Sequence, residues 1–237
     1  MPSAKPHYLY GLFFLLTITL ATLSTPPMPR AETVKQNDTM TDTLAAVTDW
    51  QNPDQLVMAI EAYFADLSTA TARFQQTQDN SETASGDFFL SRPGKMRFAY
   101  DSPNESFIVA DGTFIYFWDD ELEQVSQTTI SSTLAYVLLQ DTIELNSEDG
   151  DDPGALSVRE IQQIDQEIYL VLELANDPGQ GQLTVVFNAE PLRLNRWLVK
   201  DAQGFETLVQ MSDWQEGVAI DNDTFFFARP GFGGVDR

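Results

Sequence analysis

A single histidine, His7, and no cysteine leave this chain of 237 residues few groups able to do chemistry. His7 falls inside a segment that reads as an export signal, so the mature chain has no Ser-His or Cys-His pair to make a nucleophile. Without thiols there is no disulfide scaffold, no thiolate metal site and no thiol catalysis. Thirty-six acidic residues produce chance carboxylate pairs anywhere on a surface, so no acid/base pair can be assigned among them. The acidic stretch from Glu144 to Gly154 fails as a calcium loop. Counting back from Gly150 places Leu145, Ser147 and Asp149 where three oxygen ligands are required. Gly179 and Gly181 make an incomplete phosphate fingerprint with no helix after it. These patterns argue against an enzyme, and they call for neither a metal nor a cofactor.

Arg92 is the one polar residue that stands apart. It closes a very apolar strand, Asp87-Phe88-Phe89-Leu90-Ser91, and precedes Pro93-Gly94. It reads either as an exposed residue at a hairpin tip or as a latch. A guanidinium carries five donors in a fixed fork and can hold several carbonyls at a helix end.

The elements around it are short antiparallel strands. Between Gly86 and Gln127 they are punctuated by Arg92-Pro93-Gly94-Lys95, Asp101 to Asn104, Asp111-Gly112 and Trp118 to Glu121. Alternation places Met96, Phe98 and Tyr100 on one face of a strand, Phe107 and Val109 on one face of the next, and Phe114, Tyr116 and Trp118 on one face of the one after. A sheet this apolar must bury a face against its own core or against a guest. Phe and Met suit a wall shaped for acyl chains, since Met adapts to irregular guests and rings offer wide contact.

The spacing predicts strands at about 84–91, 95–100, 105–110, 113–118, 121–127, 156–163, 166–174, 181–188, 191–200 and 204–213, after a first strand through Ala72 to Thr77. A short terminal strand is expected at 225–227. Asn52-Pro53-Asp54 starts a helix carrying Leu56, Ile60, Tyr63, Phe64 and Leu67 at helical spacing. A second helix, apolar nearly all round, is expected over Ser131 to Gln140 with Ser131 or Ser132 as its N-cap. The sum is a mainly β protein: one unclosed antiparallel barrel of about eleven strands with short helices against its concave face.

Residues 1–31 read as a signal peptide, with Lys5 before the apolar run Gly11 to Leu23. Cleavage after Ala31 puts Pro29 at the −3 position, cleavage after Ser24 puts Thr22 there, and an uncleaved anchor is the rival reading. Residues 32–51 form a polar leader, and 52–237 a single domain. Losing residues 1–31, which hold Lys5 and Arg30 and no acid, takes the net charge from −23 to −25. Such a body is repelled by nucleic acid and by anionic lipid surfaces, and stays soluble as a monomer.

The run from Gly86 to Val125, preceded by Ala72-Arg73-Phe74-Gln75-Gln76-Thr77, resembles the LolA family of periplasmic outer-membrane lipoprotein carriers. The order of signal, helix, strand, Arg-Pro hairpin, Asp-Gly hairpin and helix resembles it too. The resemblance implies an unclosed barrel with helices as a lid over an apolar cavity, no cofactor, and a periplasmic location. It implies triacylated lipoproteins as cargo, an inner-membrane ABC transporter as donor, and an outer-membrane receptor as a further partner. The absence of cysteine favours the carrier over that receptor, which is itself a lipoprotein. The family's conserved arginine falls on Arg92, and its cavity positions on Met96 and Phe98. The lid falls on Asp54 to Ser68 and Ser131 to Gln140, so the expected lining is Phe88, Leu90, Met96, Phe98, Phe107, Val109, Leu56, Ile60, Leu134 and Leu138. A lipid-binding or lipid-sensing module of the same fold that never engages the transporter is the alternative.

Overall fold

The computed structural model describes residues 52–145 and 155–230. The signal, the leader and residues 146–154 of the acidic loop lie outside the described residues. Helix α1 (Pro53–Asp66) starts where Asn52 accepts the Asp54 amide at 3.0 Å, with Pro53 in the first turn. Leu56, Ile60 and Phe64, four residues apart, form its buried stripe.

Eleven strands follow. They are β1 (Thr69–Gln78), β2 (Thr83–Ser91), β3 (Lys95–Tyr100), β4 (Phe107–Asp111), β5 (Phe114–Asp119), β6 (Gln124–Thr129), β7 (Leu156–Ile164), β8 (Glu167–Leu174), β9 (Gly181–Ala189), β10 (Leu192–Asp201) and β11 (Glu206–Glu216). They make one antiparallel sheet in the order β6-β5-β4-β3-β2-β1-β11-β10-β9-β8-β7. The first and last strands pair with each other, and among the described strands β6 and β7 stand at the two edges, so the sheet curls without closing.

Two segments depart from the expected pattern. Residues 225–227 are not a strand. A 3-10 turn, Asn222–Phe225, is set by Asp221 accepting the Asp223 amide at 3.0 Å, and the chain then lies across the sheet's outer face. The alternating Phe225 and Phe227 find partners there rather than in a ladder. The expected helix 131–140 is broken into a 3-10 turn, Ile130–Ser132, and a short helix α2 (Tyr136–Leu139). Thr133 Oγ donates back to the Ile130 carbonyl at 2.9 Å, which favours the tight turn over a continuous helix. Neither Ser131 nor Ser132 caps α2, whose N-cap is Ala135.

The concave side holds the main core. Phe98 meets Phe74 edge-on at 5.0 Å, lies 4.8 Å from Phe88 and reaches Trp197 at 6.1 Å. Gly86 makes room for this cluster: a Cβ there would stand 2.6 Å from the Phe74 ring and 2.0 Å from the Ala99 carbonyl. Tyr100 and Gln76 are both buried and satisfy each other by a 2.8 Å bond. A smaller cluster occupies the convex side, where Phe107, Val109, Trp118 and Phe225 pack with Phe89, Tyr116, Ile220 and Phe227.

Candidate functional site: an apolar cavity under a tied lid

Between the concave face and the covering segments lies a cavity of about 70 Å³. Met96 and Phe98 of β3, Ile108 of β4 and Ile115 of β5 form one wall. Leu183, Val185, Trp197 and Val199 of β9 and β10 form the opposite wall. Thr133, Leu134, Ala135 and Leu138 close it from the lid side, and Thr128 borders it at β6.

Met96, Phe98, Leu134 and Leu138 therefore border the cavity. Phe88, Leu90, Leu56 and Ile60 are buried in the same core but do not line this space. Phe107 and Val109 are a correction: they sit on the convex side, under the chain's own last residues. Strand alternation makes these two travel together, and their register neighbours Ile108 and Ala110 take the inward positions. The wall from β9 and β10 was missed by sequence reasoning. Its signal was the alternation of Trp197 and Val199, which resembles that of any buried strand.

Arg92 lies half-buried at the Ser91–Lys95 turn, its side chain turned back onto the covering elements. Its Nη1 donates to the Phe64 carbonyl and to that of Leu67 at 3.1 Å. Its Nη2 donates to the Gln140 carbonyl at 2.7 Å and the Asp141 carbonyl at 3.5 Å. These are the orphan carbonyls at the ends of α1 and α2, so one guanidinium ties both covering elements to the β2–β3 turn. The Phe64 ring lies 5.5 Å beneath the charge. No carboxylate pairs with Arg92 among the described residues, and burial lowers its pKa from the ordinary arginine value.

The turn adds two backbone ties: the Arg92 amide donates to the Ser68 carbonyl at 2.7 Å and the Gly94 amide to the Leu139 carbonyl at 2.8 Å. Gly94 has φ +81°, and a Cβ there would approach Gly112 Cα at 2.8 Å, so only glycine fits this turn. Tyr63 Oη, donating to Glu216 at 2.9 Å and accepting the Leu194 amide at 3.3 Å, fixes the far side of α1. Burial pushes its phenol pKa up.

The space is small. An empty cavity of about 150 Å³ admits benzene, and ligand sites generally measure about 300–1,000 Å³. A guest with long chains therefore requires the covering segments to move away. The lining is almost wholly apolar, so it suits an apolar group and disfavours a polar one. The described residues hold no group of three or more metal-ligating side chains and no helix long and apolar enough to cross a membrane.

The family described as outer membrane lipoprotein carrier protein LolA matches residues 65–228. The outer-membrane lipoprotein carrier protein of Chromohalobacter salexigens is 26% identical over 182 residues, covering 74% of this chain and 80% of that protein. Its counterpart in Bordetella avium is 28% identical over 184 residues, covering 75% and 84%. Among solved structures, a LolA superfamily protein from Nitrosomonas europaea aligns over 72% of this chain and 97% of its own with a TM-score of 0.38 and 13% identity.

Proposed function

The chain belongs to the LolA family, and on that premise we propose that it carries the acyl chains of triacylated lipoproteins across the periplasm. The cargo comes from an inner-membrane ABC transporter and goes to the outer membrane, directly or through a receptor there. One observation supports this most: a single half-buried guanidinium holds the ends of two covering elements over a small apolar cavity. The arrangement is that of a carrier with its cover closed. Its bonds run to neutral carbonyls, so release leaves no stranded carboxylate.

Acyl chains entering the cavity replace the lid's apolar contacts with their own. Each buried methylene contributes about 0.8 kcal/mol, so chains of ordinary length can drive the lid open and break the Arg92 bonds. Met96 and Phe98 form the wall the chains lie against, with Leu134 and Leu138 on the moving side. Work for loading comes from the donor, and return of Arg92 to its carbonyls favours release at the acceptor.

The test is incubation of the purified mature chain with spheroplasts, followed by isolation of the soluble fraction. A carrier releases a triacylated lipoprotein as a one-to-one soluble complex. Binding of acyl probes without any such release would favour a lipid-sensing module on the same scaffold.

A further inference from the structure

The two free edges of the sheet differ. Edge strand β7 is guarded: it carries Arg159 and Glu160, its register is interrupted between Val158 and Glu160, and Leu145 forms a parallel bridge to its Leu156. Charges and bulges of this kind blunt an edge against further pairing. Edge strand β6 has none of these. Its sequence, Gln124-Val125-Ser126-Gln127-Thr128-Thr129, holds no charge, proline or glycine, and its register with β5 is unbroken.

The register shows which groups are free. The Ile130 amide donates to the Thr113 carbonyl at 3.1 Å, continuing the pairing of Phe114 with Thr129 and Ile115 with Thr128. In an antiparallel ladder, alternate residues direct both backbone groups at the partner strand. Thr128, Ser126 and Gln124 therefore bond β5, while Thr129, Gln127 and Val125 aim their N–H and C=O groups away from the sheet. No other described strand pairs with them.

This edge also borders the cavity. Thr128 is the one buried residue of β6, at 5% exposure, and it lines the cavity with its pairing partner Ile115. At the opposite end of β6 lies a turn with Asp119, Asp120, Glu121 and Glu123, where Arg229 donates to the Glu123 carbonyl. A chain whose lipid end sits in the cavity thus leaves beside Thr129 and can run about 17 Å along β6 to an acidic turn.

We infer that β6 binds the peptide of the cargo by strand addition: the residues that follow the acylated N-terminal cysteine pair antiparallel with Val125, Gln127 and Thr129. The inference rests on the carrier reading. Main-chain bonds make this recognition tolerant of sequence, as a carrier of many cargoes requires, and the acidic turn favours a basic side chain about five residues past the lipid. The occupied edge is also protected from unwanted pairing while cargo is held.

The experiment compares two ligands on the mature chain: tripalmitoylated cysteine amide, and the same group carrying a peptide of about eight residues. The peptide-bearing ligand is expected to bind about tenfold more tightly. Gln127→Pro removes one outward amide without touching the β5 ladder, and should bring that ratio close to one. A second measurement needs no variant. In wild-type protein, N-methylation scanned along the peptide should weaken binding about threefold to tenfold at alternate residues only, the loss of one net hydrogen bond. Equal affinity for the two ligands, or an N-methyl scan with no two-residue period, overturns the inference while leaving the carrier reading intact. Failure of both ligands to bind removes the carrier reading and this inference with it.

Discussion

The two faces of strands β3 to β5 are built from the same kinds of residue and meet different fates. Inside, Met96, Phe98, Ile108 and Ile115 face a cavity and a lid. Outside, Phe107, Tyr116 and Trp118 face the chain's own C-terminal segment. Phe227 stacks on Tyr116 at 4.8 Å, Arg97 lies over Phe107 at 4.4 Å and donates to the Thr224 carbonyl, and Lys95 bonds Asn222 at 3.0 Å. The outer cover packs directly on these rings. The inner cover leaves a small cavity, and the Arg92 side chain ties both of its elements to the β2–β3 turn. Aromatic richness alone therefore does not distinguish the two faces; the cavity under the inner cover does.

The largest contrast is expected from a charge placed on each face. Phe98→Glu should abolish binding of tripalmitoylated lipopeptide, because the carboxylate enters the wall the hydrocarbon must touch. Phe107→Glu should leave that binding intact and free the segment after Glu216 to proteolysis. Equal loss of binding in both variants would erase the distinction between the faces.

Arg92→Leu comes next. It removes the bonds that favour the empty closed form, so apparent affinity for lipopeptide should rise about tenfold by population shift. Transfer to acceptor membranes should slow. Unchanged affinity with normal transfer would show that Arg92 only packs against Phe64.

A smaller effect is expected outside. Phe227→Ala should cost about 1–3 kcal/mol of stability in urea unfolding, a half-buried ring lost from a stacked pair, with lipopeptide affinity unchanged. A change in affinity would mean the outer cover is coupled to the cavity.

The smallest concerns Glu167, whose carboxyl Arg196 grips at 2.5 and 2.7 Å. That pairing lowers its pKa from 4.5 to about 2. A depressed carboxylate stabilises above its unfolded pKa and loses that contribution as pH falls through the folded one. The pair's share, about 1 kcal/mol for a half-buried pair on the sheet surface, should be present above pH 4.5 and fade between pH 4.5 and 2. Glu167→Gln should flatten that part of the Tm–pH curve. Here too the contrast is with Arg92: one arginine grips a carboxylate and stays, the other holds carbonyls and can let go.

Much of this was legible from residues alone. The Arg92-Pro93-Gly94 and Asp111-Gly112 turns separate strands whose alternation is plain, and the i, i+4 stripe of Leu56, Ile60 and Phe64 marks α1. Alternation tells which residues of a strand share a face, but not which face turns inward; Phe107 and Val109 fell on the wrong side for that reason. Phe225 and Phe227 imitate a strand because a segment lying across a sheet also alternates its anchors. The alternation of Trp197 and Val199 marked a buried strand but not a cavity wall, since β9 and β10 reach the cavity only through the curl that joins β1 to β11.

Two single-tryptophan chains locate the bound acyl chains: one keeps only Trp197 at the cavity and the other only Trp118 on the outer face, and each is offered a lipopeptide with brominated acyl chains. Acyl chains held in this cavity should quench Trp197 strongly and leave Trp118 bright. Equal quenching of both, or quenching of Trp118 alone, would contradict the account.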